Sequence, residues 1–253
     1  MATQSWSGST IEVVTQNYGE MMRDDVVKLK IGADHVEYFV HPGFLLQHSE
    51  YFRRLLNGNW KEVAEEAICL DDVDCKTFEI FLQWLYTQRY PTDDQFRAET
   101  PPGSTSGRAM QLARIKACEF GDRFMASGYL LASENALIDS LIVDTQIPFY
   151  DTIIYAFTHL RSDSPILQAL IDSHCFCWHE QSDTEKNGEL QLRSQLPHSF
   201  LLGVALRYMQ TQDGQRRLLD RCDYHKHSTD NERGDNCTIS CVDDFETSSA
   251  YGI

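Results

Sequence analysis

The chain has 253 residues, 38 acidic side chains against 22 basic ones, and a formal net charge of −16. That length suits one large domain or a domain with an accessory lobe. The acidity repels phosphate backbones and argues against direct nucleic-acid binding, and no apolar run is long enough to span a bilayer.

The first residues are rich in Ser, Thr, Gln and Gly. Residues 1–23 therefore read as a disordered N-terminus. Met1 to Ser7 lacks a charged n-region and an apolar h-region, so no signal peptide is read there. The eight cysteines are then expected as reduced thiols of an intracellular protein, in nucleus or cytoplasm.

Two strand-like runs follow, Val26 to Ile31 and Val36 to His41. In the first, Val27, Leu29 and Ile31 alternate with Lys28 and Lys30, the period of a half-buried strand. Gly32-Ala33-Asp34 supplies the turn of a hairpin. Ser49 can cap a helix carrying Phe52, Leu55 and Leu56. A third strand runs from Ala67 to Leu70. Asp74 then caps a helix with Phe78, Phe81, Leu82 and Leu85 on one face. One core is expected from Phe39, Phe52, Leu55, Phe78, Phe81, Leu82 and Leu85.

This order of elements resembles the BTB/POZ domain. Phe39-x-His41, Leu45, Ser49, Tyr51 and Phe52 are similar to the family's "F-x-H…L…S-x-Y-F" signature. Phe78, Leu85-Tyr86-Thr87 and Tyr90 are similar to its "F…L-x-Y-T-x-x-Y" helix end. Pro42 stands where the family usually has a basic residue. Gly121-Asp122-Arg123-Phe124 resembles its "A-D-K-F", with Gly for Ala. The resemblance implies an α+β fold at residues 24–144, a small three-stranded sheet packed with about five helices. Small fungal BTB proteins are similar across the whole length.

Pro91 to Arg108 contains Pro101-Pro102-Gly103-Ser104-Thr105-Ser106-Gly107 and is expected as a disordered loop at 91–108 within the domain. Ala113, Ala117, Phe120 and Phe124 then mark one helix face, and Leu137 and Leu141 mark the last core helix. Residues 145–212 read as an all-helical extension. Phe149, Ile153, Phe157 and Leu160 suit one helix, and Ser164-Pro165 opens another. Pro197 starts a third, with Leu201, Val204, Ala205 and Tyr208 on one face. These helices are too few and too short for a core of their own and are expected to pack on the end of the BTB helices.

No Gly-x-Ser-x-Gly, Gly-x-x-x-x-Gly-Lys or His-Glu-x-x-His motif is present, so the chain is read as a non-enzyme. Trp60-Lys61-Glu62 is similar to the φ-x-E motif by which many BTB domains dock a cullin. An exposed aromatic anchor beside an acidic residue suits a partner groove. The expected partners are a cullin or another BTB protein, with a homodimer among the outcomes. The readings are a ubiquitin-ligase adaptor or an oligomerisation scaffold without a cullin link. A Cys/His metal-dependent enzyme is the rival of a different class.

Residues 213–253 are a flexible or zinc-ordered Cys/His tail, with nine acidic residues against five basic ones. Cys222-x2-His225 and Cys237-x3-Cys241 form two ligand pairs of the kind that close a tetrahedral zinc site. Cys222, His225 and Cys237 are the expected ligands of one structural zinc, with His227 or Cys241 as the fourth. The "C-x-Y-H-x-H…C" ending that recurs in fungal BTB proteins suggests His227. Cys175, Cys177 and His179 are read as packing residues, because i and i+2 point to different sides of a helix.

Overall fold

The computed structural model describes residues 18–23, 25–56, 67–98, 106–210 and 219–225. Its sheet has the order β2-β1-β3. β1 (Val27–Ile31) pairs antiparallel with β2 (Val36–Val40), Val27 opposite Val40 and Ile31 opposite Val36. β3 (Ile68–Leu70) lies parallel to β1. The turn needs a positive φ, which Gly32 takes at 72° without a Cβ penalty. The Gly32 amide donates to the Leu70 carbonyl at 3.0 Å, tying the hairpin turn to β3. Alternation does the rest: Val27, Leu29 and Ile31 are buried, while Lys28 and Lys30 take the other face.

Two short helices, α2 (Pro42–His48) and α3 (Glu50–Leu56), follow the hairpin. Ser49 between them has two tasks. Its Oγ accepts from the Phe52 amide at 3.1 Å, the N-cap of α3, and its hydroxyl donates to the Phe124 carbonyl at 2.6 Å. α4 (Cys75–Thr87) is capped by Asp74, whose carboxylate accepts from the Thr77 amide at 2.9 Å. Phe78, Phe81, Trp84 and Leu85 on α4 face α6 (Ser106–Arg123) and α7 (Ser127–Ile142). Ring centroids lie 4.8 Å apart for Phe81 and Phe120, and 5.2 Å apart for Phe81 and Tyr129. Each such buried ring contributes about 1.5–3 kcal/mol by burial and aromatic pairs add about 0.5–1.5. α6 and α7 cross so closely that a Cβ on Gly121 would sit 2.9 Å from the Leu130 Cα. The glycine in place of the family's alanine is thus matched to this crossing.

Four expectations are corrected. Phe39 and Leu55 are not in the core: Phe39 is 59% exposed and Leu55 38%. On β2 it is Val40 that turns inward, which places Phe39 on the opposite face under the Lys28 ammonium, 5.5 Å from the ring centroid. The stretch 91–108 is not all loop. It holds α5 (Asp93–Ala98), started by the Thr92 amide donating to Gln95 Oε1 at 2.9 Å and joined to α6 by an Asp93–Arg114 ion pair. α6 already begins at Ser106; residues 99–105 lie outside the described residues. Of the N-terminus expected to be disordered, Tyr18–Met21 is a helical turn, α1, and Met21 packs on the core beside Gly43. Residues 1–17 lie outside the described part.

The extension comprises α8 (Tyr150–His159), α9 (Pro165–Cys177), α10 (Glu189–Leu192) and α11 (His198–Gln210). Ile115 and Cys118 of α6 and Leu137, Ile138 and Leu141 of α7 form one buried cluster with Ala156, Ile166 and Leu170 of the extension. Arg108 at the start of α6 strengthens the junction. It pairs with Asp151 and Glu189 and lies over the Phe149 ring. The fourth correction concerns α11, which turns Phe200, Gly203, Val204 and Arg207 inward rather than Leu201, Ala205 and Tyr208. Gly203 lets the helix rest on Ile171, where a Cβ would come within 2.4 Å, and Arg207 reaches Asp172 at 2.8 Å.

Candidate interaction surface

Trp60, Lys61 and Glu62 fall in the segment 57–66, outside the described residues. The elements that flank it are fixed. Leu56 closes α3 inside the core and Ile68 opens β3. On the outer side of α3, Glu50 pairs with Arg53 and with Arg54, the latter at 3.2 Å. The signature residues nearby have structural work. The His41 amide donates to the Tyr86 hydroxyl oxygen at 3.1 Å, and His41 Nδ1 lies 3.0 Å from the same oxygen. Pro42 sits at the first position of α2, buried, where a missing N–H costs nothing.

Among the described residues, two apolar surfaces stand out on the outside. The first is the solvent face of the sheet with edge strand β2, where Phe39 is exposed beside the Lys28–Glu37 ion pair. The second is larger. On α11, Leu201, Leu202, Leu206, Tyr208 and Met209 are all exposed, Met209 at 69%. Large apolar residues grouped on one element mark interaction surfaces more often than scattered ones do. The sequence reading missed this face. The signal was present in Leu201-Leu202 and Leu206, but α11 is apolar on several sides, so periodicity alone picks no inward face.

Of the tail ligands, Cys222 and His225 are described, whereas His227, Cys237 and Cys241 lie outside the described residues. Asp220 caps a short 3-10 turn at Arg221–Asp223, accepting from the Cys222 amide at 2.8 Å. Cys222 is 7% exposed. His225 Nε2 and Arg221 Nη1 both approach Asp139 Oδ1, at 3.3 and 3.2 Å. The Tyr224 hydroxyl donates to Asp172 at 2.7 Å, and Arg207 closes the same carboxylate. Protein contacts therefore anchor the opening of the tail against α7 and α9.

Several ionisable groups of the extension are buried or paired. A cleft of about 480 Å³ is lined by Phe149, Tyr150, Trp178, His179 and Glu189 among others. Around it Tyr150 donates to Asp183, which also holds Arg193, and burial raises the Glu189 carboxyl. Burial pushes the Cys175 thiol up to about 11 and raises that of Cys177, so both stay protonated and pack as small apolar groups. Burial also lowers the His174 imidazole to about 4. No helix among the described residues is long and apolar enough to cross a membrane.

A search of curated proteins gives no match. The family model of the BTB/POZ domain matches residues 20–100. That span contains the three-stranded sheet, the Ser49 cap, and α4 with its aromatic face. The chain carries a BTB/POZ domain, a protein-interaction fold, and its helical extension shares a core with the helices that follow the matched span.

Proposed function

We propose that this protein is a substrate adaptor of a cullin-type ubiquitin ligase. The observation that supports the proposal is the sequence position of Trp60-Lys61-Glu62, shortly after Leu56 ends α3 and within the matched span. A cullin takes the large aromatic as an anchor, and Glu62 meets a polar neighbour at the rim. The chain brings its own second surface. The exposed leucines and Met209 of α11 offer a site for the protein to be ubiquitinated. Such work belongs inside the cell, in nucleus or cytoplasm.

Titration calorimetry of the full chain with the N-terminal region of a cullin tests this. Wild type should bind, and Trp60→Ala should weaken binding by about 2 kcal/mol or more. No heat and no complex on a sizing column would remove the cullin reading.

One specific observation favours a second reading, a scaffold that joins itself or another BTB protein. β2 is an edge strand with Val36 and Phe39 exposed, a surface suited to strand addition. Sedimentation that shows a dimer lost on Phe39→Ser, with no cullin bound, would select it.

The tail proposal stands beside both readings: one structural zinc on Cys222, His225 and Cys237, completed by His227 or Cys241. The paired spacing supports it. A closed four-ligand site has no open position for water, so the metal would order the tail and not catalyse. Elemental analysis of wild type against Cys237→Ser reads it. Equal zinc in the two would overturn it.

A further inference from the structure

Outside the tail, the fold brings His35 of the hairpin turn beside Cys69 and Asp71, more than thirty residues further along the chain. His35 ends the hairpin turn, Cys69 is the middle residue of β3, and Asp71 follows that strand. One ligand atom from each, an imidazole nitrogen, Sγ and a carboxylate oxygen, lies within 4.8 Å of the other two. His35 Nδ1 and Asp71 Oδ1 are 3.6 Å apart.

We propose that His35, Cys69 and Asp71 form a surface site for a borderline divalent cation of the zinc class. Ligand chemistry comes first. Thiolate, imidazole and carboxylate are together the donor set of zinc and cobalt(II), and they are a poor set for magnesium or calcium. Distances come second. With bonds of about 2.0–2.3 Å, tetrahedral ligands stand about 3.3–3.6 Å from one another. The His35–Asp71 pair already has this separation. Cys69 is exposed and need only turn its side chain inward to complete the third corner.

The backbone beneath the trio is fixed on both sides. Cys69 pairs with Lys30 in the parallel ladder, and Gly32 N–H donates to Leu70 O at 3.0 Å. The His35 amide donates to Gly32 O at 3.0 Å, and His35 has φ of 50°. The turn thus presents the imidazole beside the end of β3 before any metal arrives, so little ordering remains for binding to impose. Three protein ligands leave one tetrahedral position open, to water or to a donor from a docked molecule. The site clips the β1–β2 turn to the end of β3. A cation bound there stabilises the folded chain by mass action.

Cobalt(II) is the probe, because a thiolate–cobalt charge-transfer band reports cysteine ligation directly. The full chain, stripped of metal and kept reduced, is titrated with Co²⁺ and then with Zn²⁺ in competition. The variants are Cys69→Ser, Asp71→Asn and His35→Asn, the last because asparagine tolerates the positive φ. Wild type should bind one equivalent more than each variant, or bind it at least tenfold more tightly, and zinc should displace it. Amide signals of residues 31–37 and 69–72 should broaden on cobalt addition, which separates this site from the tail. Melting of each metal-free variant at the wild-type temperature shows that its fold is intact. A charge-transfer band of equal intensity in wild type and Cys69→Ser, or cobalt broadening confined to signals outside 31–37 and 69–72, would overturn the site. So would no uptake at all, in which case the trio is an ion pair beside a free thiol.

Discussion

Two helices of equal length occupy opposite situations in this molecule. α4 and α11 each have 13 residues and both are rich in large apolar side chains. α4 buries Thr77, Phe78, Ile80, Phe81, Trp84 and Leu85, whereas α11 buries Phe200 alone. α4 faces the sheet residues on one side and α6 and α7 on another, so its apolar residues find partners. α11 rests on α9 and α8 through Phe200, Gly203 and Val204 and by the Arg207–Asp172 pair, while Leu201, Leu202, Leu206 and Met209 stay exposed. Apolar content therefore does not separate a core helix from an interface helix; the number of covered faces does.

Substitutions sharpen this contrast in decreasing order of effect. Phe81→Ala, in the middle of α4, should lower stability by about 3–5 kcal/mol, read as a shifted midpoint in urea. An unchanged midpoint would break the assignment of α4 as the centre of the core.

The extension should be the part sensitive to acid. His174, between the rings of Tyr150, Trp178 and Phe200, has an imidazole that burial holds near 4, below its ordinary 6.5. The unfolded chain then takes up the proton first as pH falls. Stability is full above about 6.5, declines between 6.5 and 4, and is flat with respect to this group below 4. The loss approaches about 3 kcal/mol. His174→Phe should flatten that part of the stability–pH curve, and an unaltered slope would assign the acid sensitivity elsewhere.

Tyr224→Phe removes a hydrogen bond to the buried Asp172 carboxylate. About 1.5–3 kcal/mol of local stability should go with it, read as faster amide exchange at residues 219–225. Last, Leu202→Ser with Leu206→Ser on α11 should change stability by less than about 0.5 kcal/mol per site. On the adaptor reading, the same pair should lower recovery of the protein recruited by α11. A large loss of stability would show α11 to be a core helix after all.

Much of the domain was legible because its signals are local. The alternation in β1, the Ser49 and Asp74 caps and the apolar face of α4 each need only neighbouring residues. The placement of Phe39 in the core fails because period 2 counted back from buried Val40 puts it on the other face. The helix at Asp93–Ala98 escaped notice because its anchor, Arg114, lies beyond the proline-rich stretch. The inward face of α11 was decided by Ile171 and Asp172, residues of another helix. The trio at His35, Cys69 and Asp71 depends on parallel pairing of β1 with β3, which no local pattern announces.

The buried cluster shared by α6, α7, α8 and α9 has a consequence for how the chain fares in a cell. A polypeptide ending at Asp144 would keep the whole matched domain but leave Ile115, Leu137, Ile138 and Leu141 facing water. Such a surface is what chaperones and quality-control proteases hold on to. A nonsense change between α7 and α8 would accordingly act as a loss of abundance. It would not release a free-standing domain able to compete with the intact chain.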